Sequence, residues 1–319
     1  MRILVTGATG LLGSNVIKVA AEKYGAKVIG TIHKTKPLKP LPCELEFMDI
    51  TDNQQVIKSI EKYKPDFIVH CAALVDPIIL EENHSIGWKI FVEGTQNLAY
   101  ECKKNNIKMI FISSDWVFDG LNPPYRENSI PHPINYYGIL KVVGETVVQS
   151  IYKNYAIARV SGLYGINYAI RTHIPEKPYG FGSLSNYFLH KLQVGEEIKE
   201  WTDYINIKAN PTLASDAAKV LINICIKDQT GIFHCSGREC TTRVELAKKV
   251  AKIFGFDEQL ISTAFKDKND LKKWIGGNLR LPKETCLDTT ETEEKLNRKN
   301  LGIEEGLIEF KKEIESSGE

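Results

Sequence analysis

The 319-residue sequence has no C-x-x-C pair, no internal repeat and no low-complexity linker. Nor does it hold an uncharged apolar run approaching the ~18 residues that a membrane-spanning helix needs. Its seven cysteines, Cys43, Cys71, Cys102, Cys225, Cys235, Cys240 and Cys286, are odd in number and scattered. Neither a disulfide framework nor a zinc site is therefore expected, and the cysteine usage points to a reducing cytoplasm. Cys235 and Cys240 flank "SGRE" without partner histidines at ligand spacing, so no metal is expected there. The opening "MRILVTGATG" passes from a short apolar strand straight into glycines, unlike a signal peptide. A formal net charge of +1 supplies no field that would gather nucleic acid or a membrane surface. A small, locally recognised ligand is the expectation that remains.

What is present is alternation. Short apolar runs ("RILVT", "KVIGTI", "DFIVHCAA", "KMIFISS") are separated by helical patterns ("GSNVIKVAAEKYG", "QQVIKSIEKY", "WKIFVEGTQNLAYECKKNN"). Such β-α-β-α order predicts an α/β fold with a Rossmann-type, doubly wound parallel sheet whose strands are apolar because helices cover both faces. Beyond "YAIARVSGLYG" lies a Gly-, Pro- and aromatic-rich stretch of the kind that closes over ligands. A helix is then expected from about Ser185, another in "TLASDAAKVLINICI", a strand in "GIFHCSG", and an amphipathic helix in "TTRVELAKKVAKIFG" ending at Gly255.

"ILVTGATGLLG" sets Gly7, Gly10 and Gly13 between a strand and a helix that opens with Leu11 and Leu12. The first glycine makes the tight turn, the second lets a pyrophosphate approach the backbone, and the third packs helix on strand. The G-x-x-G-x-x-G spacing resembles the extended short-chain dehydrogenase/reductase family and implies a nicotinamide dinucleotide. No acid ends the second strand; His33, Lys34 and Lys36 stand there instead and favour NADP(H) over NAD(H). The resemblance places Asp49 and Ile50 beside the adenine, and Cys71, Ala72 and Ala73 along the cofactor.

In "NYYGILK", Tyr137 and Lys141 are spaced i, i+4 and share one helix face. A nearby ammonium favours phenolate, which predicts a lowered Tyr137 pKa and proton exchange with a substrate oxygen. Ser114, at the end of "KMIFISS", falls on the carboxyl edge of the sheet and can bond the same oxygen. Ser114, Tyr137 and Lys141 are thus the candidate catalytic residues.

The segments "TGATGLLG", "FIVHCAALVD", "ISSDWVFDGLNPPYRE", "PINYYGILKVVGE", "ARVSGLYG", "NPTLASDAAKV" and "RLPKETCLDT" together resemble the dTDP-4-dehydrorhamnose reductase branch of that family. They also resemble the regulatory β subunit of S-adenosylmethionine synthetase. The resemblance implies hydride delivery to the keto carbon of a nucleotide-linked deoxysugar, with Tyr137 as proton donor, Lys141 on the nicotinamide ribose, and Ser114 where the family usually has Thr. Asp115, Trp116 and Arg280 are the expected substrate contacts, Arg280 through a diphosphate. Some members of the branch dimerise with the help of Mg²⁺; no metal ligands are assigned here, and a homodimer is the expected assembly. A Rossmann domain is expected over 1–162, with 210–232 returning to it, and a smaller substrate-binding lobe over 163–209 and 233–319.

Four departures bear on the sugar. Phe91 stands for the family's usual Asn, Gly162 for a Trp that packs on the sugar, and Leu140 for a Thr, while "DYINIKANPT" is lengthened and lacks a glutamine. Trp116 occupies the place of the acid that a 4,6-dehydratase needs, which argues against dehydration. A 4-epimerase and a non-catalytic, dinucleotide-binding regulatory subunit remain as alternatives. His132, between prolines, is either a donor behind the site or a solvated turn residue.

Overall fold

The computed structural model describes residues 1–318 other than 177, 204 and 265–278, so part of the expected C-terminal lobe lies outside the described residues. The first half runs β1 (Arg2–Thr6), α1 (Leu11–Tyr24), β2 (Lys27–Ile32), β3 (Glu44–Phe47), α2 (Asn53–Tyr63), β4 (Phe67–His70), α3 (Pro77–Glu82), α4 (His84–Trp88), α5 (Gly94–Asn105), β5 (Lys108–Ser114), α6 (Tyr136–Ile151) and β6 (Tyr155–Val160). The second half runs β7 (Leu163–Tyr164), α7 (Leu184–Gln193), β8 (Ile198–Glu200), β9 (Lys208–Ala209), β10 (Thr212–Leu213), α8 (Ala214–Ile226), β11 (Gly231–His234), β12 (Thr241–Thr242), α9 (Arg243–Phe254) and β13 (Ile261–Thr263).

Local chemistry sets the helix ends. Asp52 accepts from the backbone N–H groups of Gln54 and Gln55 at the start of α2. Thr242 and Glu245 form a reciprocal capping box on α9, which stops at Gly255 in the left-handed region. The long helix expected across "WKIFVEGTQNLAYECKKNN" is present, with a π-helical turn over Lys89–Glu93 joining α4 to α5 without a break. Such turns cluster at functional sites.

Among the described residues, seven strands form one parallel sheet in the order β3-β2-β1-β4-β5-β6-β11. Alternate residues face opposite layers. Ile3, Val5, Val69 and Ile110 pack with Val16 and Ile17 of α1 and with Val220 and Leu221 of α8. Leu4, Ile68, Met109 and Phe111 pack with Ile60 of α2 and Leu98 of α5. The chain order reverses between β1 and β4, the switch point where open α/β sheets bind ligands. β11 runs to His234, and the Cys235 N–H donates to the Arg159 carbonyl. A second core joins Phe188 of α7, Val250 of α9 and Phe310.

The cysteine expectation is corrected. Cys240 and Cys286 form a disulfide with Cα atoms 5.6 Å apart, 46 residues distant in sequence. Spacing could not reveal it, since the fold makes the pair: Thr241 pairs with Ala209, and the Thr285 N–H donates to the Lys208 carbonyl. The Asn210 side chain then ties Gly237 to Leu287. The cysteines therefore no longer argue for a reducing compartment. No described helix is long and apolar enough to cross a membrane, and among the described residues no group of three or more His, Cys, Asp or Glu is placed to hold a metal ion.

Candidate active site

Register aligns the carboxyl ends of the central strands, so Thr6 lies beside Thr31 and His70, and Ser114 beside Val160. The loops that follow therefore share one rim. Gly7 turns the chain at φ +70°, and a Cβ there would lie 2.8 Å from the Ala72 nitrogen. A side chain at Gly13 would collide with the Gly7 carbonyl. Gly10 caps α1 without a side-chain acceptor, leaving the first-turn N–H groups for an anion. Leu12 is buried in the core, and Leu11 is half-buried at the rim.

Behind this loop runs a buried chain of hydrogen bonds that sequence reasoning did not anticipate. The Ala72 N–H donates to Thr6 Oγ1 at 3.0 Å, Thr6 Oγ1 lies 2.8 Å from His70 Nδ1, and His70 Nε2 lies 3.2 Å from Thr95 Oγ1. Thr95 donates onward to the Phe91 carbonyl at 2.6 Å. Burial, with the Lys141 charge adding to it, pushes His70 down to about 3, so the ring is neutral. Each residue is an ordinary strand or helix position; only the register connects them.

The basic loop and the acid expected to flank the adenosine meet one another. His33 Nε2 is 3.6 Å from Asp49 Oδ2. Burial raises the Asp49 carboxyl, but hydrogen bonds from the Thr51 N–H and hydroxyl, with the His33 and Lys89 charges, hold it below its usual value. The sequence shows no acid at the end of β2; the fold brings one from the end of β3. Ile50 turns into the core, where a Cβ on Gly94 would lie 2.8 Å from its side chain.

Tyr137 and Lys141 project from the first turns of α6, capped by Asn135, whose Oδ1 accepts from the Gly138 N–H at 2.8 Å. Gly138 is the residue between them that lets the helix approach, because a Cβ there would collide with the Trp116 carbonyl. The Tyr137 ring is held edge-on between Phe91 (5.9 Å) and Trp116 (5.7 Å). Lys141 is 4% exposed, and its Nζ donates to the Ile112 carbonyl at 2.8 Å. Burial lowers it to about 8, opposed by Cys71 and Glu145. Burial likewise raises the Cys71 thiol to about 12, opposed by Lys141. Ala72 and Ala73 continue that rim half-buried.

The expected lowering of Tyr137 is overturned. Burial raises its phenol above the usual range and Asp115 adds to the rise, while the hydrogen bond with Ser114 pulls the other way. The lysine was legible in the sequence, but the desolvation that raises Tyr137 was not. Ser114 donates to Asp115 Oδ1 at 3.0 Å and accepts from the Trp116 N–H at 3.1 Å. Asp115 Oδ2 accepts from Ser161 (2.8 Å) and Thr285 (2.5 Å). Neither Ser161 nor Thr285 was among the expected site residues, although Thr285 lies in the quoted "RLPKETCLDT".

Other expectations fall differently. Arg280 is exposed, and its carbonyl accepts from the Asn135 side chain at 2.9 Å. His132 pairs with Asp119 at 2.9 Å on the surface. Gly162 stands where the resemblance implies a Trp on the sugar. Its φ is +53°, and Phe181 occupies the space where a side chain would go.

The arrangement combines a helix terminus suited to a pyrophosphate, a buried serine hydroxyl at the end of β5, and a phenol and a buried ammonium one helical turn apart on α6. The sequence matches the RmlD substrate binding domain family over residues 1–315. It is 28% identical over 308 residues to a probable low-salt glycan biosynthesis reductase of Haloferax volcanii, covering 96% of each chain. It is 33% identical over 258 residues to methionine adenosyltransferase 2 subunit beta of Xenopus laevis, covering 79% of this chain and 72% of that one. The fold superposes on the dTDP-4-dehydrorhamnose reductase of Bacillus anthracis in complex with NADP with a TM-score of 0.79 at 23% identity, covering 98% of this chain and 99% of that one.

Proposed function

The chain belongs to the RmlD substrate binding domain family, and from that premise we propose that it is an NAD(P)H-dependent reductase of a nucleotide-linked 4-keto-6-deoxysugar. The observation that carries this reading is that Trp116, whose N–H donates to Ser114, stands edge-on to Tyr137 one helical turn from buried Lys141, at the rim shared with the Gly7–Gly13 loop. The α1 N-terminus, with Cys71, Ala72 and Ala73, would hold the dinucleotide, which would supply the hydride.

The protein supplies the proton. With its pKa raised, Tyr137 stays a phenol at neutral pH, the form a donor to a developing alkoxide requires. Ser114 fixes the keto oxygen against that hydroxyl, and Trp116 and Asp115 shape the sugar side. Lys141 retains its charge in most molecules below about 8 and holds the nicotinamide ribose. His33, Lys34 and Lys36 favour NADP(H), with Asp49 as the acid that a 2′-phosphate must tolerate. Arg280 reaches the diphosphate from the rim.

The test follows the loss of reduced-nicotinamide absorbance with NADPH or NADH and a panel of nucleotide-linked 4-keto-6-deoxysugars. Sugar-dependent oxidation that falls about 10²–10⁴-fold in Tyr137→Phe, with cofactor binding kept, is the expected result. Similarity to the methionine adenosyltransferase subunit supports a second reading, a dinucleotide-binding regulatory subunit. Cofactor binding without turnover on any sugar, together with association with a synthetase, would favour that one.

A further inference from the structure

The stretch that follows β7 docks on the first turns of α1. Asn15 and Ser14, both fully buried, hold its backbone: Asn15 Nδ2 donates to the Ile166 carbonyl at 2.8 Å, and Ser14 Oγ accepts from the Tyr168 N–H at 3.2 Å. Asn167 lies between these two anchors and is itself buried. Its Nδ2 donates at 3.0 Å to the carbonyl of Thr9, 158 residues away and inside the glycine loop. Its Oδ1 accepts from the Ala169 N–H at 2.9 Å and from the Ile170 N–H at 3.2 Å, an Asx turn. The Ile170 N–H and the Ala169 carbonyl belong to one planar trans peptide, so a bond that draws the N–H toward Asn167 turns the carbonyl away from it. That carbonyl accepts from the Leu38 N–H at 2.7 Å and the Lys39 N–H at 3.1 Å. Leu38 and Lys39 close the loop that carries His33, Lys34 and Lys36. Residues 33–36 are all exposed, so burial does not place them.

We propose that Asn167 is a positioning residue of the dinucleotide site, holding the glycine loop and the basic loop after β2 at a fixed spacing so that both can meet one ligand. The inference rests on the dinucleotide part of the function proposed above and not on turnover, so it holds for a reductase and for a regulatory subunit alike. One side chain joins the two loops, through Thr9 on one side and through the Ala169 carbonyl on the other. A loop already held in its binding position gives up little freedom when the ligand arrives. A dinucleotide with a 2′-phosphate draws on both loops, whereas one without it draws mainly on the glycine loop. Releasing Asn167 therefore weakens NADPH more than NADH.

The experiment titrates the full chain with NADPH and with NADH by calorimetry, in wild type and Asn167→Ala, and measures peptide-resolved amide hydrogen exchange of both proteins without ligand. Expected in Asn167→Ala is a Kd about tenfold higher for NADPH and at most about threefold higher for NADH. Exchange over residues 33–39 should quicken while that of α6 stays as in wild type. An unchanged NADPH Kd, an equal rise for both cofactors, or exchange that quickens throughout the chain, α6 included, overturns the proposal. If Asn167→Ala does not fold, Asn167→Ser keeps a hydroxyl acceptor for the turn but is too short to reach Thr9, and an NADPH Kd about threefold higher is expected. An unchanged Kd there overturns the proposal equally. A wild type that takes NADH but not NADPH also overturns it, because the basic loop then meets no phosphate. A wild type that binds neither defeats the dinucleotide reading and the proposal with it, whereas a wild type and an Asn167→Ala that bind NADPH equally well defeat the proposal alone.

Discussion

The ammonium of Lys141 lies 4.9 Å from the centre of the Phe91 ring, and that ring also stands edge-on to Tyr137. Phe91, standing where the family resemblance implies an Asn, thus supports the lysine through its π face. The π-helical turn over Lys89–Glu93 and the Thr95 bond to the Phe91 carbonyl set the ring's place. A cation over an aromatic face is stabilised in its charged form by roughly 0.5–2 kcal/mol.

Phe91→Leu removes that stabilisation, so Lys141, already near 8, loses its proton at still lower pH. The alkaline limb of the kcat/KM profile should move down by about 0.4–1.5 pH units. A limb that stays in place would show that the ring only fills space.

Charge reversal in the loop after β2 tests cofactor choice. Lys34→Glu should weaken NADPH about tenfold relative to NADH, measured by fluorescence titration of each cofactor. Equal weakening of both would remove Lys34 from recognition of the 2′-phosphate and leave the His33–Asp49 contact as a local surface pair.

His70 links stability to acid. Folding holds it neutral, with its pKa pushed from 6.5 down to about 3, so below 6.5 the unfolded chain binds a proton that the folded one refuses. The stabilisation is complete above 6.5 and is lost as pH falls toward 3, with a slope of up to about 1.4 kcal/mol per pH unit. Urea melts between pH 7 and 4 should show this slope in the wild type and a flatter one in His70→Gln.

The Arg159–Glu145 pair is buried at both ends and joined by two hydrogen bonds of 3.0 and 2.8 Å, with Ser113 on the same carboxylate. Arg159→Met would strand the charge of Glu145 beneath α6. A loss of about 3–5 kcal/mol in denaturant unfolding is expected. Glu145→Gln paired with Arg159→Met should recover a large part of it.

Much of the fold was legible because its signals are local. Strand runs, the Gly7–Gly13 spacing, the α9 pattern ending at Gly255 and the Tyr137–Lys141 interval all fit within a few residues. What could not be read is long-range. The Thr6–His70–Thr95 chain depends on strand register, the Cys240–Cys286 bridge on pairings around β9, and the Asp115 clamp on a threonine 170 residues away. The sign of the Tyr137 shift belongs with these, since it depends on enclosure by Phe91, Trp116 and Asp115, which no spacing reveals.

Asn135 has one further consequence. One side of its amide caps α6, and the other holds the Arg280 carbonyl, while Thr285 secures Asp115 a few residues on. During synthesis, then, Tyr137 and Lys141 leave the ribosome long before the partners that fix their surroundings. A nascent chain stalled after β6 has its glycine loop and its helix but an unfinished centre, and competence arrives late, with the strand of chain from Arg280 to Thr285.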